Sequence, residues 1–390
     1  MKNKIQFEGR PIWAEISIRA LLHNLRIIRR NVGRERKILA IVKANAYGLG
    51  AVPIAKALER AGTEWFGVTC TSEAIELREA GIRLPILLLT GFWPGEERRM
   101  LKYRLTPTVT RVEQLRPLER AVGQYRGAGR TTTLTFHLKI DSGMNRLGIN
   151  PSDIDWFART LGSCPHLRLG GTYTHFASAE NFTSEQTPAQ ETVFLAAIER
   201  LRGNGVSPGI VHLSNSGAIC ARPSTWADMV RPGAILYGYH QSFAPEEMKT
   251  EMMKRLPFRP TVALRTRVIA LRNVPEGAAV GYGATFVAKR PTRIAVVAAG
   301  YADGLVRHRS NRGSVLLRGQ AVPLVGIISM DLSMLDVTTV PKAAIGDVVT
   351  IYGRDGERAM EVSDVAREVG SVTSDLLCAL GRRVPRFYIS

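Results

Sequence analysis

One stretch of this chain has the residue types for carbonyl chemistry: Ile38-Leu-Ala-Ile-Val-Lys-Ala-Asn-Ala-Tyr-Gly-Leu-Gly50. Five apolar residues end in Lys43, followed by Tyr47 and the glycines 48 and 50. A lysine that ends a strand is most often a surface residue whose stem packs while its amine reaches water. At the C-terminal end of a barrel strand the same amine faces the active-site mouth. Partly desolvated there, it has a depressed pKa and forms Schiff bases with carbonyl compounds. Gly48 and Gly50 let the backbone approach a ligand closely. Two further segments, His212–Ala218 and Val230–Ala234, have the composition of an anion cradle. Ser214, Asn215 or Ser216 would stand at a helix N-terminus, whose free N–H groups attract anions, and Gly233 leaves its amide accessible. Each segment alone is equally an ordinary helix cap or turn. A Schiff-base lysine and a phosphate cradle on one barrel face point together to pyridoxal 5′-phosphate.

The elements that must position these groups are read from the apolar pattern. Candidate strands are Ile38–Val42, Trp65–Val68, Ile86–Leu89, Leu105–Val109, Leu134–Ile140, Gly170–His175, Val211–Leu213 and Ala234–Tyr237. Helical segments separate them: Val52–Ala61, Ser72–Ala80, Arg111–Tyr125, Ser152–Leu161 and Thr187–Arg202, with Gly62, Gly81 and Gly203 as stop signals. Strands alternating with helices imply a parallel sheet with right-handed crossovers, and this count is that of a (β/α)8 TIM barrel. Near Pro245–Pro260 the rhythm changes to short strands punctuated by turns: Val262–Leu271, Ile294–Ala298, Ser314–Leu317, Val322–Ile328, Met334–Val337 and Val348–Tyr352. The expected fold class is therefore α/β, an N-terminal barrel over residues 1–250 followed by a mostly antiparallel β-domain over 251–390. The extended segment Pro11–Ile18 precedes the first barrel helix, and residues 1–16 are expected to join the β-domain.

Composition narrows the function classes. The 390 residues hold 53 Lys+Arg against 34 Asp+Glu, a formal charge of +19. Of the basic residues only 11 are Lys, and the Arg are scattered, in short clusters such as Arg29-Arg30 and Arg98-Arg99. No aromatic-interleaved basic stripe and no nucleic-acid-binding motif accompanies them, so no nucleic-acid partner is expected and the charge reads as a solvated surface. The four Cys (70, 164, 220 and 378) form no CxxC and no Cys/His cluster, which excludes a zinc ribbon or a disulfide framework and leaves no metal site in view. A reducing, cytoplasmic setting is expected. The opening MKNKIQFEGRPIW has no apolar run of a signal peptide, and no stretch approaches the ~20 apolar residues of a membrane helix.

These residues resemble the alanine racemase family, nearly end to end from Trp13 to Tyr388. The blocks that carry the resemblance are AIVKANAYGLG (40–50), LKIDSGMNRLG (138–148), YTHFASAE (173–180), VRPG…LYG (230–238), VGYGATF (280–286), GYADG (300–304), SMD (329–331) and RRVPRFY (382–388). The resemblance implies a pyridoxal-phosphate-dependent isomerase that interconverts L- and D-alanine and supplies D-alanine for peptidoglycan. Lys43 is then the cofactor lysine and Tyr282 the base on the opposite face. Racemisation removes the α-proton from one face of a planar carbon and returns one to the other, a task that suits two flanking groups. Without the resemblance, Tyr282 in its Gly-Tyr-Gly turn reads as a loop aromatic.

Further roles follow from the same resemblance. Tyr47, Asn215, Ser216, Gly233 and Ala234 match the phosphate side, and His175 and Arg231 flank the ring. Arg231 matches the residue facing the pyridine nitrogen; a guanidinium can only donate there, so the nitrogen stays unprotonated and the cofactor a weaker electron sink. That argues for racemisation over side reactions. Arg146 matches a substrate-carboxylate residue, and Lys139 a lysine often carbamylated. Tyr301, Met330 and Asp331 match substrate-side residues supplied, with Tyr282, by the neighbouring subunit of a homodimer. One departure stands out: Ser374 occupies a position where the family usually has a Tyr. A broader racemase accepting serine, and a non-catalytic pyridoxal-phosphate carrier, are the alternatives.

Overall fold

The structure, a computed structural model, describes residues 9–126, 133–240 and 242–390. Its internal contacts divide them into two compact units. One holds residues 20–46 and 51–259; the other holds residues 9–19, 47–50 and 260–390. Residues 1–8 of the segment expected to join the β-domain lie outside the described residues.

In the first unit eight strands run parallel: Lys37–Ile41, Trp65–Val68, Ile86–Leu88, Thr106–Val109, Leu134–Lys139, Leu167–Tyr173, Ile210–His212 and Met229–Val230. Ile38, Leu39, Ala40 and Ile41 of the first strand are all buried. Both faces of a parallel sheet are covered, so such strands read as continuous apolar runs. Consecutive strands pair in chain order, and the eighth returns to the first with Met229 opposite Lys37 and Val230 opposite Ile38. The seam between seventh and eighth is held by hydrogen bonds from Asp228 N–H to Val211 O (3.0 Å), from Val211 N–H to the Asp228 carboxylate (2.8 Å) and from Arg231 N–H to Ser214 O (3.0 Å). The result is a nearly closed (β/α)8 barrel. Helices over Ala51–Arg60, Thr71–Glu79, Leu115–Arg126, Ile154–Gly162 and Gln186–Gly203 lie where the apolar period put them.

One element differs from expectation. Ala234–Tyr237 is a turn of 3-10 helix, not the eighth strand. Ile235, Leu236 and Tyr237 are buried, and a buried apolar run this short has no period to separate strand from helix. With Met229–Val230 as the last strand, the Val230–Ala234 segment falls at the strands' C-terminal ends, the end that also carries Lys43.

The second unit is a nine-stranded sheet built around Val262–Val274. This strand pairs antiparallel with Ile12–Ser17, Thr292–Val297 and Val348–Asp355. Register shifts at Leu264/Arg265 and Val268/Ala270 bend it, so that its two halves serve different neighbours. Through Ser333–Asp336, Gln320–Val325 and Ser314–Leu317 the pairing returns to Val348–Asp355, and six strands close a ring. Ile12–Ser17 extends this sheet and carries the final strand Arg386–Ile389 in parallel. All other pairings of this unit are antiparallel.

Candidate active site

The barrel strands bring Lys43, Lys139, Arg146, His175, Asn215, Ser216, Arg231, Gly233 and Ala234 to segments at one end of the barrel. Lys43 opens an unusual turn. Ala44, Asn45, Ala46 and Tyr47 all have φ between 52° and 56°. A left-handed residue with a Cβ costs roughly 1–2 kcal/mol, less for Asn, so the turn must be held from outside. Glu73 does this. Its carboxylate accepts from Ala44 N–H at 2.6 Å and from Thr69 N–H at 2.7 Å. Asn45 adds an acceptor for Ala51 N–H at 2.8 Å. The turn re-aims the chain directly after the strand and leaves Lys43 half-buried at its start. Glu73 escapes a motif search because it lies beyond the following helix and strand, on the helix Thr71–Glu79. Replacing it by Ala should cost about 0.5–1.5 kcal/mol, the net worth of a hydrogen bond that water can partly replace, and should lower kcat as Lys43 loses its fixed origin. Denaturant unfolding alongside kinetics checks this; unchanged kcat in a destabilised Glu73→Ala would mean the turn does not position the lysine.

Arg231 is fully embedded. Nη1 donates to His212 Nδ1 (3.0 Å) and His212 O (2.9 Å). Nη2 donates to Thr174 O (2.7 Å) and Leu213 O (2.8 Å) and lies 3.3 Å from His175 Nδ1. These bonds use both terminal nitrogens and leave Nε–H for an acceptor on a ligand. Burial lowers the guanidinium to about 10, so it stays a cation and a donor at neutral pH. Tyr173 buttresses it: its ring stacks on His212 at 4.6 Å, its face lies 5.2 Å from the Arg231 carbon, and its hydroxyl donates to Leu89 O at 2.7 Å. Tyr173 and His212 were not picked out individually in the sequence. A polar residue inside an otherwise apolar barrel strand was the signal available.

Lys139 is buried, with its amine 5.6 Å from the Tyr173 ring. Burial, then Arg231, Arg146 and Lys43, push it down to about 8. Burial and the same cations, with Lys139, hold the His175 imidazole well below its usual range, and therefore neutral. Four cations thus converge, and Asp141 is the acidic group acting on Lys139. Asp141 is largely spent on its own loop: Oδ1 accepts from Gly143, Met144 and Asn145 N–H at 3.0 Å each, and Oδ2 from Arg146 N–H at 3.1 Å. This wrap presents Arg146 on the surface. Gly148 permits it, since a Cβ there would stand 2.5 Å from Asp141 N.

On the phosphate side, Ser216 Oγ accepts from Gly233 N–H at 2.9 Å, joining the loops after strands seven and eight, so the Gly233 amide expected to be accessible is engaged within the chain. Asn215 caps the short helix Ser216–Ala221 by accepting from Ala218 N–H, and donates to Phe176 O. Ser214 is committed elsewhere, donating to Thr225 O at 2.7 Å. Tyr47 falls in the other unit, where Gly48 abuts the Leu377 carbonyl and burial, with Cys378, raises the Tyr47 phenol to about 12. Ser374 is half-buried on the helix Thr373–Cys378, one turn before Cys378.

The remaining predicted residues lie on the β-unit. Tyr282 sits in a hairpin between Ala279–Val280 and Phe286–Val287, flanked by Gly281 and Gly283 with positive φ, and is 71% exposed. Tyr301 and Met330 are also exposed and are tied by the bonds Tyr301 N–H to Ser329 O and Ala302 N–H to Met330 O, both 3.1 Å. Arg383 fastens this corner, donating Nε to the fully buried Asp303 at 2.7 Å and pairing Nη2 with Asp331 at 2.7 Å.

The donor set fits pyridoxal phosphate. It offers an amine at a strand end, a guanidinium whose Nε–H is uncommitted, a serine–glycine cradle and an excess of positive charge for a phosphate and a carboxylate. Fold and site therefore define the class of barrel enzymes that work through a lysine-bound cofactor. Residues 16–241 match the family model of the alanine racemase N-terminal domain, and residues 261–388 that of the C-terminal domain. An alanine racemase of Halothermothrix orenii is 36% identical over 379 residues, 97% of each chain. The solved alanine racemase of Clostridium difficile 630 superposes with a TM-score of 0.88 at 32% identity, covering 98% of this chain and 97% of that one. The alanine racemase of Bartonella henselae, solved with covalently bound pyridoxal phosphate, gives 0.85 at 27% identity over 98% and 100% of the two chains. The chain belongs to the alanine racemase family.

Proposed function

We propose that this protein is a pyridoxal-phosphate-dependent isomerase interconverting L- and D-alanine, with Lys43 and Tyr282 as its two proton-transfer groups. The usual role of this activity is to supply D-alanine for peptidoglycan. The observation that carries the reading is the meeting of Lys43, Lys139, Arg146 and the embedded Arg231 around a neutral His175. Relatives matching both domains are alanine racemases, which does not favour a serine-accepting or non-catalytic alternative. Purified holoenzyme should convert L-alanine to an equal mixture of enantiomers; a yellow, cofactor-loaded preparation that leaves L-alanine unchanged would refute the proposal.

When bound, pyridoxal phosphate supplies the electron sink that makes the α-proton of alanine acidic. Lys43 would hold the cofactor through its amine and would move the α-proton on its own face. Tyr282 of the partner subunit moves it on the other face. Arg231 would hold the ring through its Nε–H, which it can offer as a donor without giving up its proton. Ser216 and Gly233 would hold the phosphate and Arg146 the substrate carboxylate; the family resemblance gives Tyr47 a phosphate-side role as well. The lowered Lys139 amine beside Arg146 favours carbamylation, since an uncharged amine is the form that adds carbon dioxide, and the product would be an anion among cations.

A homodimer with shared sites belongs to the same proposal. Tyr282, Tyr301 and Met330 are exposed on the β-unit, whereas Lys43 and Arg231 belong to the barrel. Exposed aromatic and apolar side chains of this kind are typical of contact surfaces. Mixing Lys43→Ala with Tyr282→Phe chains, each inactive alone, should restore activity as heterodimers form with one intact site each. No recovery despite demonstrated subunit exchange would mean that each chain builds its own site. Cytoplasmic residence is proposed with it, supported by four free cysteines; no helix among the described residues is long and apolar enough to cross a membrane.

A further inference from the structure

Beneath Arg231 the barrel holds a second histidine to which the proposed reaction gives no part. We infer that His137 is a positioning residue: by accepting the His212 Nε2 proton it fixes the His212 tautomer that lets His212 Nδ1 accept from Arg231. The inference rests on the racemase reading for its kinetic consequence, but the tautomer itself is a property of the barrel.

The bonding pattern admits one arrangement. A guanidinium has no acceptor, so the 3.0 Å contact between Arg231 Nη1 and His212 Nδ1 requires a lone pair on Nδ1. A neutral His212 then carries its proton on Nε2. That nitrogen lies 3.0 Å from His137 Nδ1, which must in turn be the acceptor, placing the His137 proton on Nε2. Donation therefore runs one way, from Arg231 through His212 to His137. It ends there: His137 Nε2 is buried with no oxygen or nitrogen partner. Burial first, and then the Arg231 charge, keep both imidazoles neutral, with His137 lowered to about 3.

The seat of His137 is built for it. A Cβ at position 171 would stand 2.6 Å from the imidazole Cε1 and 2.8 Å from both ring nitrogens, so Gly171 makes room for the ring. Trp65 closes the other side with ring centroids 5.2 Å apart. An apolar residue would fill this space without leaving a buried donor unpaired, a cost that natural cores avoid. What the histidine adds is an acceptor at one point. Without it the His212 Nε2 proton loses its partner and the Nδ1-protonated form becomes competitive. That form turns a donor toward Arg231, whose Nε direction depends on the bonds to Nη1 and Nη2.

The test compares wild-type holoenzyme with His137→Phe and His137→Asn, the Asn amide oxygen occupying roughly the place of Nδ1. Nitrogen-15 histidine spectra report the His212 tautomer directly, with His212 assigned by its loss in His212→Asn. The wild type should show only the Nε2-protonated form. His137→Phe should show both tautomers and lose kcat on the order of tenfold, the scale of one hydrogen bond, with KM for alanine little changed. His137→Asn should restore the single tautomer and most of kcat. A single Nε2-protonated His212 in folded His137→Phe, or a folded His137→Asn as impaired as Phe, overturns the inference. If His137→Phe fails to fold, wild-type His212 protonated on Nδ1 overturns it alone. Wild-type enzyme inactive on alanine would instead refute the racemase proposal.

Discussion

Lys43→Ala should abolish racemisation and leave no cofactor that borohydride can fix to the chain. A single amine serves two functions here, the covalent hold and the proton transfer on one face. Losing a positioned proton-transfer group costs typically 10²–10⁴-fold, and losing the covalent step adds to this, so kcat should fall by roughly 10⁴-fold or more. The fold should survive. Lys43 is half-buried at the start of the left-handed turn, and Ala is at least as tolerable there. The substitution does not touch Ser216 or Gly233, which are joined to each other, so pyridoxal phosphate should still bind reversibly and wash out on dialysis. Small amines added to the variant should recover part of the activity. Reducible, covalently held cofactor in Lys43→Ala would assign the attachment to another lysine, of which Lys139 is the nearest candidate by electrostatic coupling.

Tyr282→Phe should keep the cofactor and lose turnover by about 10²–10⁴-fold, the contribution of one acid–base group. Because the ring is 71% exposed in the subunit, removing its hydroxyl leaves no buried donor and should not alter the fold. The loss should be one-sided. In deuterium oxide one alanine enantiomer should still exchange its α-proton with retention, served by Lys43, while the other exchanges hardly at all. Symmetric exchange, or near-normal racemisation, would refute the two-base assignment.

Much of this protein was legible in its residues. Continuous apolar strands separated by amphipathic helices determined the barrel, because a parallel sheet covered on both faces needs that composition. The turn-rich pattern after Pro260 determined the antiparallel domain. Lys43 stood out because its motif is local, whereas Arg231 and Tyr282 drew their expected roles from the family resemblance. Tertiary structure alone decided the rest. Ala234–Tyr237 became a 3-10 turn because an apolar run of four residues carries no period, and the barrel closed instead through Met229–Val230. Glu73 steadies the Lys43 turn from the helix Thr71–Glu79, 29 positions from Ala44. The chain from Arg231 through His212 to His137 spans three strands, with 75 positions separating the two histidines. A hydrogen bond needs its partners within about 3 Å and properly aligned. No spacing along the chain encodes that meeting; the closure of the sheet creates it.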